Sequence, residues 1–419
     1  MADPKYTAKP MTISAPWLSA PPLKAIFDTF AKAGSEVRVV GGAVRNALLN
    51  EPITDIDLAT PTLPERVMEI GRAAGFGVYP TGIDHGTVTL ISSDQKFEIT
   101  TLRRDVETDG RHAVVAFTTD WAEDAYRRDF TINAMSANAH GDVFDYASGR
   151  DDISARRVRF IGAAADRIRE DYLRILRFFR FTAQISHSAP DNDGVSASMA
   201  LKDGIASLSG ERIGAEVMKF LVAPRAGEIS VIMDVSGISK CIFGHATQPL
   251  NLIRLQAIEH ALGESTDAIT RLAALTSQAP AADIARRLRL SNADASALEA
   301  ATSHHRTFTA STDAHTARTA LYRLKPQSYR RAVRVSWANT NTPARDPHWT
   351  QLATLEQSWT PPLLPVSGAD ILALGITPGP VVGQILKAFE QWWIDSDFPT
   401  DINAQKERLT LLSKSTNFE

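Results

Sequence analysis

Gly41-Gly42-Ala43-Val44-Arg45, followed by Asp55-Ile56-Asp57, decides the reading of this chain. A glycine turn and an arginine stand just ahead of two carboxylates separated by a single residue. On a β-strand alternate side chains share a face, so Asp55 and Asp57 are expected on one side and Ile56 and Leu58 on the other. Neighbouring carboxylates repel unless a cation lies between them. The hard cation that takes carboxylate and phosphate oxygens together is Mg²⁺. A Gly-Gly backbone, with no side chains in the way, lets phosphates approach closely. Val37-Arg38-Val39-Val40 reads as a strand and residues 43–49 as a helix, and Pro52 and Thr54 reopen the chain before Asp55. Strand, glycine turn, helix and a strand bearing Asp-x-Asp form a layout for a metal-bound nucleoside triphosphate.

The 419 residues suffice for about two to four compact units. A hydrophobic content of 44% and a charged content of 22% are those of a globular chain. No apolar run is long enough to span a bilayer. Lys5 and Lys9 precede no apolar stretch, so no secretory signal is expected. The lone Cys241 excludes an intramolecular disulfide and a cysteine zinc site, and a cytoplasmic protein is expected. The net charge of −3 conceals a basic stretch: Arg150, Arg156, Arg157, Arg159, Arg167, Arg169, Arg174, Arg177 and Arg180 crowd together. That stretch reads either as a local nucleic-acid surface or as a solvated helical face.

Residues 1–22 read as a loose arm ending in Pro21-Pro22. From 23 to 150 short helices alternate with strand-like runs such as Gly86-Thr87-Val88-Thr89-Leu90-Ile91 and Lys96-Phe97-Glu98-Ile99-Thr100. Residues 105–121, with Asp109-Gly110, read as a mobile loop. Beyond 151 the strand signals fade. Helical periodicity marks residues 166–186, 211–222, 248–262, 280–290 and 313–335, with loop material around 186–195. Pro361-Pro362 and Pro365 mark a break before a last helical unit over 368–412.

Two further motifs bear chemistry. In Arg127-Arg128-Asp129-Phe130-Thr131-Ile132-Asn133 the guanidinium forks suit triphosphate oxygens. Asp129 and Asn133, one helical turn apart, would hold a ribose hydroxyl together or serve as a helix cap with a salt bridge. In Glu170-Asp171-Tyr172-Leu173-Arg174-Ile175-Leu176-Arg177-Phe178-Phe179-Arg180-Phe181 a rotation of about 100° per residue puts Glu170, Asp171, Arg174 and Arg177 on one face. Tyr172, Ile175, Leu176 and Phe179 fall opposite. Asp171 could accept from the exocyclic amine of cytosine or adenine while Arg174 donates beside it; uracil and guanine present a carbonyl there instead. The alternative is a surface ion pair, which Phe178 and Phe181 on the same side speak against. Glu98 is either a third carboxylate at the site or a partner for Arg103. His85 and the pair His304-His305 lack the companions a metal site needs.

These motifs, in this order, resemble those of the class II tRNA nucleotidyltransferases (CCA-adding enzymes) and the related bacterial poly(A) polymerases. The resemblance covers residues 36–182 closely. It implies an α+β, polymerase-β-like nucleotidyltransferase head over residues 23–150. An all-α neck (151–224), body (225–365) and tail (366–419) would follow. It makes Asp55 and Asp57 ligands of two Mg²⁺ ions. Gly41, Gly42, Arg45, Arg128, Asp129, Asn133, Glu170, Asp171, Arg174, Arg177 and Arg180 become nucleotide-binding residues for CTP and ATP. The implied partner is tRNA, held by its 3′ end and acceptor/TΨC region, with no membrane and no obligatory protein partner. Val366-Ser367-Gly368 through Ile376, with Pro378-Gly379-Pro380, resembles the tail. Asn46 stands where the family usually has Asp. The stretch Tyr79 to Val88 lacks the Gly-Arg/Lys-Arg/Lys-Phe cluster of the poly(A) polymerases, which favours CCA addition over poly(A) synthesis. The loop after Asp105 favours a complete CCA adder over a CC-only form, with CC-only or A-only addition as alternatives.

Overall fold

The computed structural model describes residues 11–109, 112–304 and 307–415. Lys5 and Lys9 of the expected arm, Gly110 of the expected turn and His305 lie outside them. The chain divides into two compact units, residues 1–246 with 287–289 and residues 247–286 with 290–419.

In the first unit the expected loose arm is already part of the fold from Thr12 onward. Thr12 bridges to Asp142, the Ile13 N–H donates to the Gly141 carbonyl at 2.8 Å, and Ile13 and Leu18 are buried. Apolar side chains in the segment have a surface to cover, so the arm packs. Pro21 then opens α1 (Pro21–Lys32), where a missing N–H leaves nothing unsatisfied. β1 (Arg38–Val40) runs into α2 (Gly42–Leu49), and β2 (Asp57–Thr60) returns antiparallel to β1. After α3 (Pro64–Ala73) come β3 (Gly77–Gly82), β4 (Thr87–Ser92) and β5 (Gln95–Thr101).

Residues expected as a mobile loop instead form an antiparallel pair, β6 (Arg103–Asp109) and β7 (His112–Phe117), followed by α4 (Trp121–Tyr126). Ala113, Val114, Val115 and Ala116 supply the strand-forming run that the charged residues around them obscured. β8 (Ser136–Ala137) and β9 (Val143–Phe144) complete a seven-stranded sheet of order β3-β4-β5-β2-β1-β8-β9. Alternation splits its faces: Leu58, Phe97 and Ile99 are fully buried, whereas Asp57 and Glu98 are exposed.

Helices follow: α5 (Gly149–Ser154), α6 (Ala164–Glu170), α7 (Leu173–Ile185), α8 (Asn192–Leu201), α9 (Gly210–Leu221), α10 (Ala226–Val235) and α11 (Ile238–Phe243). The single helix expected over 166–186 is therefore two. Asp171 is extended (φ −157°, ψ 108°) and its Oδ1 accepts from the Leu173 N–H at 3.1 Å. A short acidic side chain competing for backbone N–H groups ends one helix and starts the next. Phe178 leaves the polar side altogether. It is fully buried against Phe160 (ring centroids 5.4 Å apart) and Phe179 (5.1 Å). Gly194 admits it, since a Cβ there would lie 2.6 Å from its ring.

The second unit is helical: α12 (Pro249–Leu262), α13 (Ala268–Leu275), α14 (Ala281–Arg287), α15 (Asn292–Ser303), α16 (Ala314–Ala338) and α17 (Pro347–Ser358). α16 kinks at Lys325 (φ 67°), just before Pro326. One core stacks Trp337 on Trp349 with ring centroids 5.9 Å apart. After the proline break, α18 (Gly368–Leu372), α19 (Pro380–Asp395) and α20 (Ile402–Ser415) gather around Phe389 and Trp393. Among the described residues no helix is long and apolar enough to cross a membrane.

The aromatic packing around α7 sets a stability expectation. Phe178→Ala should cost about 3–5 kcal/mol in chemical denaturation of the first unit. A loss under about 1 kcal/mol would mean that α7 is not anchored as described.

Candidate active site

Asp57 and Glu98 stand side by side where β2 and β5 pair, and Asp55 lies near enough to act on the Asp57 charge. Asp57 opens β2 and stands opposite Glu98 on β5 in the parallel ladder. Asp55 lies two residues earlier, in the loop rather than on the strand, and Thr54 Oγ1 donates to its Oδ2 at 3.1 Å. Although solvent reaches Asp57, the protein around its carboxyl partly desolvates it and pushes it above the usual range. Glu98 and Asp55 push it the same way, while Arg128 opposes. Arg103, the other partner considered for Glu98, donates through Nη1 to the His85 carbonyl.

The turn beside this group is specific to glycine. Val40 pairs with Asp57, so the chain reverses at Gly41 immediately next to the carboxylates. Gly41 has φ 69° and ψ −121°, and a Cβ there would lie 3.2 Å from Arg128 Nη1. Gly42 begins α2, whose first N–H groups lack helical acceptors and favour an anion.

Arg128 is held from behind. Its Nη2 donates to Asp124 Oδ2 at 3.1 Å and its Nη1 to the Asn133 carbonyl at 3.4 Å, and Asp124 also takes Arg127 Nε at 2.8 Å. Asp129 and Asn133 do not share a helix: Asp129 lies in a bend before the extended Phe130, and Asn133 ends a 3₁₀ turn, Thr131–Asn133. They bond to each other, Asn133 Nδ2 donating to Asp129 Oδ1 at 3.0 Å. Arg177 Nε donates to Asp129 Oδ2 at 2.7 Å and Arg45 Nη1 to Asn133 Oδ1 at 2.6 Å. Burial resists ionisation of Asp129, but Arg177, Asn133 and the Phe130 N–H hold its carboxyl below the usual range. The expected ribose pair therefore also fixes two arginines.

Three guanidiniums converge over one ring. Arg45, Arg177 and Arg180 lie 4.9, 5.3 and 3.9 Å from the centroid of Phe181. Burial, then Arg180, pushes Arg45 down to about 10, which leaves it charged at neutral pH. Arg180 Nε donates to Glu216 Oε2 at 2.5 Å.

The expected single-faced stripe begins one helix late, because Glu170 and Asp171 precede α7. Glu170 bonds Arg167 at 2.6 Å and also Arg174. Arg174 donates to the Arg167 carbonyl at 2.9 Å. Asp171 accepts from Arg212 Nη2 at 2.7 Å, and Asp171 and Arg174 keep partly exposed side chains. The basic stretch is largely paired: Arg157 and Arg159 hold Asp152, which is fully buried.

Asp124, Arg212 and Glu216 were not singled out from the sequence, and Arg167 only as one of the basic stretch. Asp124 precedes Arg127 and Arg128 by one helical turn, and that spacing is a readable signal. Glu216 lies 36 residues from Arg180 and carries no local one.

Magnesium can be bound through one or two carboxylates completed by substrate phosphates. Among the described residues no group of three or more His, Cys, Asp or Glu is gathered to hold a metal by itself. Asp55 and Asp57 fit the smaller requirement: they are oxygen donors, and the raised Asp57 carboxyl gains from a cation beside it.

Comparison with known proteins gives the same picture. The model of the poly(A) polymerase head domain matches residues 37–159. The mitochondrial CCA tRNA nucleotidyltransferase 1 of Danio rerio is 34% identical over 412 residues, covering 94% of this chain and 90% of that protein. The Homo sapiens counterpart is 34% identical over 415 residues, covering 93% and 89%. The Bacillus stearothermophilus CCA-adding enzyme in complex with CTP superposes with a TM-score of 0.76 at 27% identity, over 95% of this chain and 98% of that one. With such relatives matched along nearly their whole length, the chain belongs to the CCA-adding tRNA nucleotidyltransferases.

Proposed function

We propose that this site adds C, C and A in turn to the 3′ end of tRNA from CTP and ATP, releasing pyrophosphate at each step. The observation that carries the reading is the pairing of Asp57 with Glu98 next to the Gly41 turn, where Arg128 lies over the turn and bonds to Asn133, whose hydrogen-bond network reaches α7. The full-length relatives named for CCA addition support this over poly(A) synthesis.

In this reading Asp55 and Asp57 hold the metal, with Glu98 enlarging the local negative charge. Two magnesium ions bound there would lower the pKa of the RNA 3′-hydroxyl and offset the charge of the departing pyrophosphate. The α2 N-terminus, Arg128 and the Arg45–Arg177–Arg180 group attract the triphosphate. Asp129, Asn133 and Glu216 keep those arginines in place. Asp171 and Arg174 read the base edge: cytosine and adenine offer an amine to Asp171, while uracil and guanine leave it facing a carbonyl. An acceptor that the bound base covers and leaves unpaired costs about 1–3 kcal/mol. The tRNA backbone and shape are recognised by the helical remainder. The cytoplasm is the proposed compartment.

The decisive assay supplies tRNA ending at the discriminator base with CTP, ATP, both or neither, and sequences the 3′ ends. Ordered C-C-A is expected with both nucleotides; an indefinite A tail or no extension contradicts the reading. Asp55→Ala should reduce incorporation by at least about a thousandfold while tRNA affinity stays within about twofold. Retained turnover in Mg²⁺ would remove the metal role.

Asp57 gives a pH signature. Its carboxyl is raised in the fold, so it opposes folding once deprotonated, and that penalty is relieved as pH falls through its raised value toward the ordinary carboxylate range. Asp57→Asn should therefore leave the thermal midpoint at neutral pH equal or higher while activity is lost. In the wild type the acid limb of activity should move to lower pH as Mg²⁺ rises. A limb independent of Mg²⁺ would contradict the assignment.

A further inference from the structure

The loop that delivers Asp55 is exposed along most of residues 50–55. Two bonds from one residue fasten its start. The Glu51 N–H donates to the Asn46 carbonyl at 2.9 Å, and Asn46 Nδ2 donates to the Pro52 carbonyl at 2.7 Å. The other end of the same amide, Oδ1, accepts from Arg45 Nε at 3.1 Å and Nη2 at 2.9 Å. Arg45 goes on to Asn133, Asn133 to Asp129, and Asp129 to Arg177 on α7. A continuous chain of side-chain hydrogen bonds therefore runs from the loop before Asp55 to the helix that carries Arg174 and Arg177.

We propose that Asn46 is a positioning residue: its amide ties the Asp55 loop to Arg45, and through Arg45 to α7. The chemistry requires an amide. Oδ1 faces guanidinium donors and Nδ2 faces a carbonyl, and only a group with an acceptor at one end and a donor at the other satisfies both. A carboxylate would keep the Arg45 contact but set a second oxygen against the Pro52 carbonyl. An alanine would release both. Asn46 touches neither reacting atoms nor metal in this account, so it acts through the residues it holds. The inference rests on the proposed function only in taking Asp55 as a catalytic ligand.

The two substitutions separate the two ends. Asn46→Asp should raise amide hydrogen exchange across residues 51–56 by about fivefold, the loss of one net hydrogen bond, with exchange around Asn133 unchanged. Its half-saturating Mg²⁺ should rise by about the same factor, with the KM for CTP within about twofold. Asn46→Ala, which cannot repel the carbonyl, should show the same loop exchange and also raise the KM for CTP, because Arg45 is freed. If Asn46→Asp leaves loop exchange and Mg²⁺ requirement unchanged, or only lowers the thermal midpoint, the tether is overturned. An inactive Asp55→Ala beside an unaffected Asn46→Asp would sink this inference alone. An active Asp55→Ala would sink the proposed metal role and leave the exchange result standing.

Discussion

The arrangement depends on one buried carboxylate among cations. Asp129 has almost no solvent contact, yet it sits within a group formed by Arg45, Arg177 and Arg180. Three guanidiniums this close would repel one another and spread. Asp129 and Glu216 hold them, and Phe181 gives them a common surface. Because Asp129 belongs to the head and Arg177 to α7, the same bond that balances charge also joins the sheet to the helix. Breaking one partner of such a buried pair leaves an uncompensated charge, which costs more than the intact pair contributes.

That constraint explains why the two halves of the site lie in register. The sheet fixes Asp57 and Glu98 by a ladder and Gly41 by a turn no other residue fits well. The helix fixes Arg174 and Arg177 by a face packed on phenylalanines. The halves also meet through phenylalanines, Phe130 and Phe160 against Phe178 and Phe181. The polar link adds direction to that packing, so the site is sensitive to single-atom changes at Asn133 or Asn46.

Much of this was legible in the sequence, and the misses have physical causes. The strand–turn–helix–strand around Gly41 and Asp57 appeared as read, because Gly-Gly and β-branched runs act locally. Asp55 fell outside the strand by two residues, at the kind of boundary that local pattern places poorly. The helix over 166–186 broke at Asp171, where a side chain outcompeted periodicity. The pairing of β6 with β7 was missed because mixed charge masked a short Val-rich run. Asp129 and Asn133 were foreseen either as ribose contacts or in a salt bridge, and the structure pairs them with Arg177 and Arg45. Glu216 could not be found at all, since its role exists only once α9 lies against α7.

Joining nucleotides and choosing them are assigned here to different residues, and the choice can be measured directly. Asp171→Asn replaces an acceptor with a group that both donates and accepts, at nearly the same size. The incorporation of UTP relative to CTP should then rise by at least about tenfold, the lower end of what one mismatched polar contact is worth. An unchanged UTP/CTP ratio, with CTP incorporation intact, would contradict the assignment of base choice to Asp171.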